Sequence, residues 1–223
     1  MTKKVSVLMS VYNEEKKVGD SIESILNQTY KNFEFLILDD CSTDLTYQIL
    51  KDYESKDKRI KIYQNTENLG LTRSLNFLAR KSKGDILARQ DADDLSLEHR
   101  FSEQLKFIDK FDAVVSRARI QGKNIKIPGF SFYIPFKIIR KFKNPYIHGT
   151  LIINKKIFDS IGGYDENFKY SQDFKLFIDI IRHGYKIKNL NKILYLLNIK
   201  DNLSSKFKKE QEIYFHLANR QKL

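Results

Sequence analysis

Apolar and polar positions follow two different rhythms in the first half of the chain. Four short apolar runs have the length and near-continuous hydrophobicity of strands buried on both faces: "VSVLMSVY" at 5–12, "FEFLILDD" at 33–40, "RIKIYQN" at 59–65 and "DILARQD" at 85–91. Between them the apolar residues recur at helical spacing. Val18, Ile22, Ile25 and Leu26 form one stripe; Leu45, Ile49, Leu50 and Tyr53 a second; Leu71, Leu75, Leu78 and Ala79 a third. Strand starts return roughly every 26–28 residues, which predicts consecutive βαβ units and a parallel sheet. Ser42 or Thr43 stands where it would cap the second helix, with Asp44 in the first turn.

The rhythm runs on through a helix at 97–111 and a strand at 113–120. The stretch 121–145, "QGKNIKIPGFSFYIPFKIIRKFKNP", breaks it and holds all three prolines. "TLIINK" resumes as a strand, "GGYDENF" reads as a loop, and "QDFKLFIDIIRHGY" at 172–185 is an amphipathic helix ending near Gly184. Two short strands and a basic helix finish the pattern. The fold class is therefore α/β, a mostly parallel sheet flanked by helices, with a smaller irregular part in the second half.

Composition sharpens this picture in three ways. Apolar residues make up 41% of the 223, enough for a packed core. Cys41 is the one cysteine, so no internal disulfide is possible; a reducing, cytoplasmic setting is expected, and no Cys/His cluster has zinc spacing. The apolar run before Asn13 is too short for a signal peptide or a membrane span. Charge divides the chain: residues 117–223 carry 22 Lys and Arg against 8 Asp and Glu (+14), and residues 1–116 carry 18 against 20 (−2). A basic second half suits phosphorylated substrates, anionic lipid or nucleic acid, or is simply solvated. The stretch "FYIPFKIIRKFK" mixes aromatics with Lys137, Arg140, Lys141 and Lys143, and would suit an anionic membrane surface or a partly buried helix with snorkelling lysines. No nucleic-acid motif is present.

In an open parallel sheet, ligands bind beyond the carboxyl ends of the strands. Those ends carry Ser10, Tyr12, Asn13 and Glu14; Asp39 and Asp40; Asn65; and Asp91, Asp93 and Asp94. Each cluster alone could shape a turn or cap a helix. The acids at 91–94 also have the hard oxygen chemistry that Mg²⁺ or Mn²⁺ takes, with positions left for phosphate oxygens.

Three stretches in this order resemble family 2 glycosyltransferases: "VSVLMSVYNEEKKVGDSIESILNQTYKNFEFLILDDCSTDLT", "ENLGLTRSLNFLARKSKGDILARQDADD" and "NPYIHGTLIINKKIFDSIGGYDENFKYSQDFKLFIDIIRHGYKI". The resemblance covers 4–199. It implies a GT-A fold, one continuous domain with a nucleotide-sugar-binding half at 1–116 and an acceptor-binding half at 117–223. It implies inversion at the anomeric carbon, a nucleotide-sugar donor, a divalent Mg²⁺ or Mn²⁺, and a saccharide or lipid-linked acceptor in surface-polysaccharide assembly (O-antigen, capsule or exopolysaccharide). The matching positions assign Ser10, Tyr12, Asn13, Glu14, Asp40, Arg73, Asn76 and Asp91 to the donor, Asp93 and Asp94 to the metal, and Asp173 to the catalytic base. His148 and Gln172 fall on the acceptor side. Gln172 replaces a glutamate common in the family, so Asp173 is expected to ionise more easily with one negative charge fewer beside it. The Gln-x-x-Arg-Trp motif of processive members is absent, and the chain has no tryptophan. Two other readings stay open: a non-catalytic nucleotide-sugar-binding module, and a sugar nucleotidyltransferase, for which "SVYNEE" lacks the glycine-rich phosphate loop. A cytoplasmic enzyme, peripheral at the inner membrane face, completes the expectation.

Overall fold

The computed structural model describes residues 2–199 and 207–220. The first four apolar runs are strands β1 (Val5–Val11), β2 (Phe33–Asp39), β3 (Ile60–Gln64) and β4 (Ile86–Arg89). The three stripes are helices α1 (Val18–Leu26), α2 (Thr46–Lys56) and α3 (Leu71–Lys81). There follow β5 (Leu95–Ser96), α4 (Arg100–Leu105), β6 (Ala113–Ile120), β7 (Lys126–Ile127), α5 (Phe136–Ile139), β8 (Ile152–Asn154), α6 (Lys155–Ser160), α7 (Gln172–Arg182), β9 (Ile187–Leu197) and a last helix, here α8 (Lys208–Asn219).

These strands form one sheet in the order β3-β2-β1-β4-β8-β6-β9-β5, with β7 on β6. β1 pairs in parallel with β2 and β4, β2 with β3, and β6 with β9; β8 runs antiparallel between β4 and β6. Alternation along β1 sends Val5, Val7 and Met9 to a core with Ile22, Ile25 and Phe101, and Leu8 to a second core with Leu75, Leu78 and Phe177. The sheet is thus covered on both faces, as continuous apolar strands require. It runs unbroken across residue 116, because β6 spans that point and pairs with both β8 and β9.

Three elements differ from the sequence pattern. The helix at 97–111 shortens to α4, with turns on either side. The two short final strands are one strand, β9; its register against β6 shifts between Ser116 and Arg117, where Asn191 and Lys192 are passed over, and this bulge splits the apolar pattern. Neither Ser42 nor Thr43 caps α2. Their polar groups serve Asn13 across the sheet edge, while the Thr46 N–H at the helix start is taken by Asp44 Oδ1 at 3.0 Å.

Candidate functional site

Parallel pairing of β1 with β2 and β4 sets the three strand ends side by side. Asn13, in the left-handed region at φ 52°, turns the chain after β1. Its backbone N–H donates to Ser42 Oγ at 3.0 Å, and its Oδ1 accepts from the Thr43 N–H at 2.8 Å. The Glu14 N–H donates to Thr46 Oγ1 at 2.9 Å. The loops after β1 and β2 are therefore one hydrogen-bonded unit. Ser10 sits half-buried on β1 beside it, and Tyr12 is exposed at its rim.

Asp40 is buried, and its carboxylate organises the third loop. Oδ1 accepts from Asn65 Nδ2 at 2.7 Å and from the Leu69 N–H at 2.9 Å; Oδ2 accepts from the Gly70 N–H at 2.8 Å. Asp39 beside it has no surface exposure, and its Oδ1 has no hydrogen-bond partner among the described residues. The Asn76 amide is spent on Tyr164 and Glu166, and the Tyr164 N–H donates back to it at 2.9 Å. Arg73 lies 3.6 Å from Glu166. Both residues thus tie α3 to the "GGYDENF" loop.

The acids at 91–94 are held from four directions. Asp91 pairs with the buried Arg89 guanidinium. Its backbone N–H donates to the Tyr195 hydroxyl at 3.1 Å, and its carbonyl accepts from Ser21 Oγ at 2.8 Å. Asp93 accepts from Asn198 Nδ2 at 2.9 Å, and its carbonyl from Gln121 Nε2 at 3.3 Å. Asp94 is 2% exposed, and its Oδ1 accepts from the Asn198 N–H at 2.6 Å. Beneath them Arg100, wholly buried, donates to Gln90, Ser96 and the Arg89 carbonyl. Burial, then the charge of Asp91, raises the Asp93 carboxyl above the ordinary range; burial, then Asp91 and Asp93, raises Asp94 well above it.

Asp173 comes to this cluster on the first turn of α7. Ser171 precedes it at φ 51°, a strained conformation for a residue with a side chain. Gln211 of α8 holds that turn, accepting from the Ser171 N–H at 3.1 Å and from its hydroxyl at 2.9 Å. Asp173 is half-buried and accepts from Asn144 Nδ2 at 2.8 Å. Burial raises its carboxyl, the Asn144 bond opposes this, and the charge of Asp91 adds to the rise. Burial thus sets the direction at Asp173, with Gln172 adding no charge of its own beside it. Gln172 is half-buried at the start of the same helix.

His148 lies on a 3₁₀ turn within reach of the Arg89 and Asp91 charges, its Nε2 2.6 Å from the Tyr164 hydroxyl. Burial, then the nearby Arg89, pulls it down to about 3, so the ring is neutral at physiological pH. Next to it, Gly149 lets backbone pass against the cluster: a Cβ there would stand 2.4 Å from the Tyr195 hydroxyl and 2.7 Å from Asp91 Oδ2.

Gln121, Asn144, Tyr195, Asn198 and Gln211 carry no sequence signal of a site, since each acts on an acid or turn far along the chain; Arg89 lies two residues from Asp91 but reads as part of an apolar strand. Among the described residues no three His, Cys, Asp or Glu side chains converge as ligands to a metal. A divalent ion of the Mg²⁺ or Mn²⁺ type needs only one or two carboxylates and fills its shell from phosphate and water. Two crowded acids whose carboxyls are raised by burial and by like charge fit such an ion.

The family Glycosyl transferase family 2 matches residues 6–164. The chain is 35% identical over 203 residues to the O-antigen biosynthesis glycosyltransferase WbnJ of Escherichia coli, covering 87% of this chain and 78% of the relative. It is 30% identical over 190 residues to the UDP-Glc:alpha-D-GlcNAc-diphosphoundecaprenol beta-1,3-glucosyltransferase WfaP of the same species, covering 84% and 74%. Its fold is that of the mannosyltransferase PcManGT from Pyrobaculum calidifontis, solved with GDP-Man and Mn²⁺, at a TM-score of 0.80 and 18% identity over 100% of this chain and 66% of that one. The chain thus spans about two thirds of that longer protein. A mostly parallel α/β sheet with this edge, and these likenesses, establish a GT-A fold. The chain belongs to glycosyl transferase family 2.

Proposed function

We propose that the chain is an inverting, divalent-metal-dependent glycosyltransferase that moves one sugar from a nucleotide-sugar donor to a saccharide or lipid-linked saccharide acceptor. The observation that carries this is Asp173, a half-buried carboxylate with a raised pKa, close enough to the Asp91–Asp94 cluster to feel its charge. A carboxylate with raised proton affinity is a better general base while remaining ionised enough to act.

Asp173 takes the proton of the acceptor hydroxyl. The hydroxyl oxygen attacks the anomeric carbon from the face opposite the diphosphate, and the bond to the diphosphate breaks, its electron pair leaving with the phosphate oxygen. One displacement inverts the centre. Asp93, with Asp94 beside it, would hold the divalent ion, which supplies positive charge to the leaving diphosphate. Asp91, pinned by Arg89 and Tyr195, faces the donor. Ser10, Tyr12, Asn13 and Glu14 line the nucleotide side; Asp40 acts there by shaping the 65–70 loop. Neutral His148 offers an uncharged hydrogen-bonding edge on the acceptor side, with Gln172 near the base. The names of WbnJ and WfaP support a role in O-antigen or related polysaccharide assembly, and WfaP supports a lipid-linked acceptor. Such work belongs at the cytoplasmic face of the membrane; no helix among the described residues is long and apolar enough to cross one.

The test is transfer from a panel of nucleotide sugars with Mn²⁺ present, comparing wild type with Asp173→Asn and reading the product's anomeric configuration by NMR. Inverted product from wild type and none from the variant is expected. Equal turnover by the variant, or a retained configuration, overturns the assignment.

A further inference from the structure

From Ala113 to Phe158 the chain has no aspartate or glutamate, yet it carries ten lysines and arginines. No other part is so one-sided. Within this span the structure turns large apolar side chains outward: Phe130 is 82% exposed, Phe142 75%, Tyr133 64% and Ile138 54%. Their placement is ordered. Backbone hydrogen bonds of helical type run from Pro135 to Lys143, with the Lys143 N–H donating to the Ile139 carbonyl at 3.0 Å. Ile138 and Phe142, four residues apart, share a face of that turn, and Lys137 and Lys141 share the neighbouring one. Ile139 on the other side is buried, and Phe136 stacks on Tyr146 at 5.2 Å, so the exposed residues are not strays from a loose loop. Apolar side chains interleaved with lysines, in a segment that contributes no acid of its own, match a bilayer of anionic lipid: aromatics enter the headgroup boundary and lysines meet the phosphates. A patch meant for a second copy of this basic chain would face like charge instead.

The segment is also fastened to the chemistry at both ends. Gln121 donates to the Asp93 carbonyl, and Asn144 donates to the Asp173 carboxylate. We propose that the face formed by Phe130, Tyr133, Ile138 and Phe142 with Lys137, Lys141 and Lys143 docks on an anionic membrane and so turns the acceptor side of the site towards the bilayer. This rests on the glycosyltransferase reading only for its purpose, not for the docking itself.

The experiment is co-sedimentation of the full chain with vesicles of phosphatidylcholine alone and of phosphatidylcholine mixed with phosphatidylglycerol, at low and high salt. Binding to the mixed vesicles only, weakened by salt, is expected. The variant K137E/K141E/K143E should lower it on the order of a hundredfold or more, and F130S/F142S should lower it without changing its salt dependence. These positions are exposed and supply none of the hydrogen bonds that hold the acids, so nucleotide-sugar binding should stay as in wild type. Wild type that ignores mixed vesicles, binding unchanged in both variants, or self-association in solution abolished by F130S/F142S without any vesicle binding would each overturn the proposal. Donor binding is measured separately: vesicle binding without it sinks the transferase reading alone, and donor binding without vesicle binding sinks only the docking.

Discussion

The two acidic stations of this molecule are built in opposite ways. Asp91, Asp93 and Asp94 are crowded together and braced by Arg89, Tyr195, Asn198 and Ser21. Asp173 stands apart, with one side-chain donor, on a turn that must be held in a strained conformation. Both have raised pKa values with burial as the first cause, and they differ in how much like charge adds to it. Asp94 is raised by burial and then by its like-charged neighbours, Asp173 chiefly by burial. A crowded and braced cluster is suited to waiting for positive charge. A lone, half-dry carboxylate is suited to exchanging a proton. On the proposed reading the same residue type serves two chemistries according to how many neighbours share its charge.

Breaking the lone station has the largest expected effect. Asp173→Asn should cut kcat about 10²–10⁴-fold and leave the donor Kd unchanged, by calorimetry with a nucleotide sugar; a similar loss in donor affinity would merge the two stations into one. Next comes Asp93→Asn, which should weaken Mn²⁺-dependent donor binding on the order of a hundredfold and leave metal-free nucleotide binding unchanged. Gln211→Ala releases the Ser171 turn, and about a tenfold fall in kcat with constant donor Kd is expected, since the base is misaimed and not removed.

Two finer predictions concern protons. Asn144→Ala removes a hydrogen bond that favours ionised Asp173, so the acidic limb of kcat/KM should move to higher pH; no movement would mean that Asp173 does not set that limb. Asp94 holds its proton above the ordinary 3.8. As pH rises past that value the unfolded chain loses this proton first, so the folded state loses stability until its own higher pKa is passed. In metal-free protein Asp94→Asn should therefore flatten the fall of Tm with rising pH, and adding Mn²⁺ with a nucleotide diphosphate to wild type should do the same.

The difference between the stations also marks what could be read from the chain. The strands and helices of the first half were legible because apolar periodicity is a local property: Val18, Ile22 and Ile25 reach the core as their spacing predicts. Ser42 and Thr43 misled, because a cap and a cross-loop bond use the same residue types, and only the position of Asn13 decides between them. The acids stood out by composition, while their braces did not. Tyr195 meets Asp91 across 104 residues and sits in an ordinary apolar strand, and Asn144 meets Asp173 across 29. The raised pKa of Asp173 was out of reach as well, since desolvation depends on what folds over a residue and not on what precedes it.

The braces have a consequence for the order in which the protein is made. Strands β1 to β4 and all the nucleotide-side residues are synthesised by Asp94, but Tyr195 and Asn198, which fix the acid cluster, and Gln211, which fixes the turn before Asp173, come about a hundred residues later. On the ribosome the acids of the early half therefore precede the groups that hold them in place: the braces of both stations arrive only with β9, the residues just after it and α8.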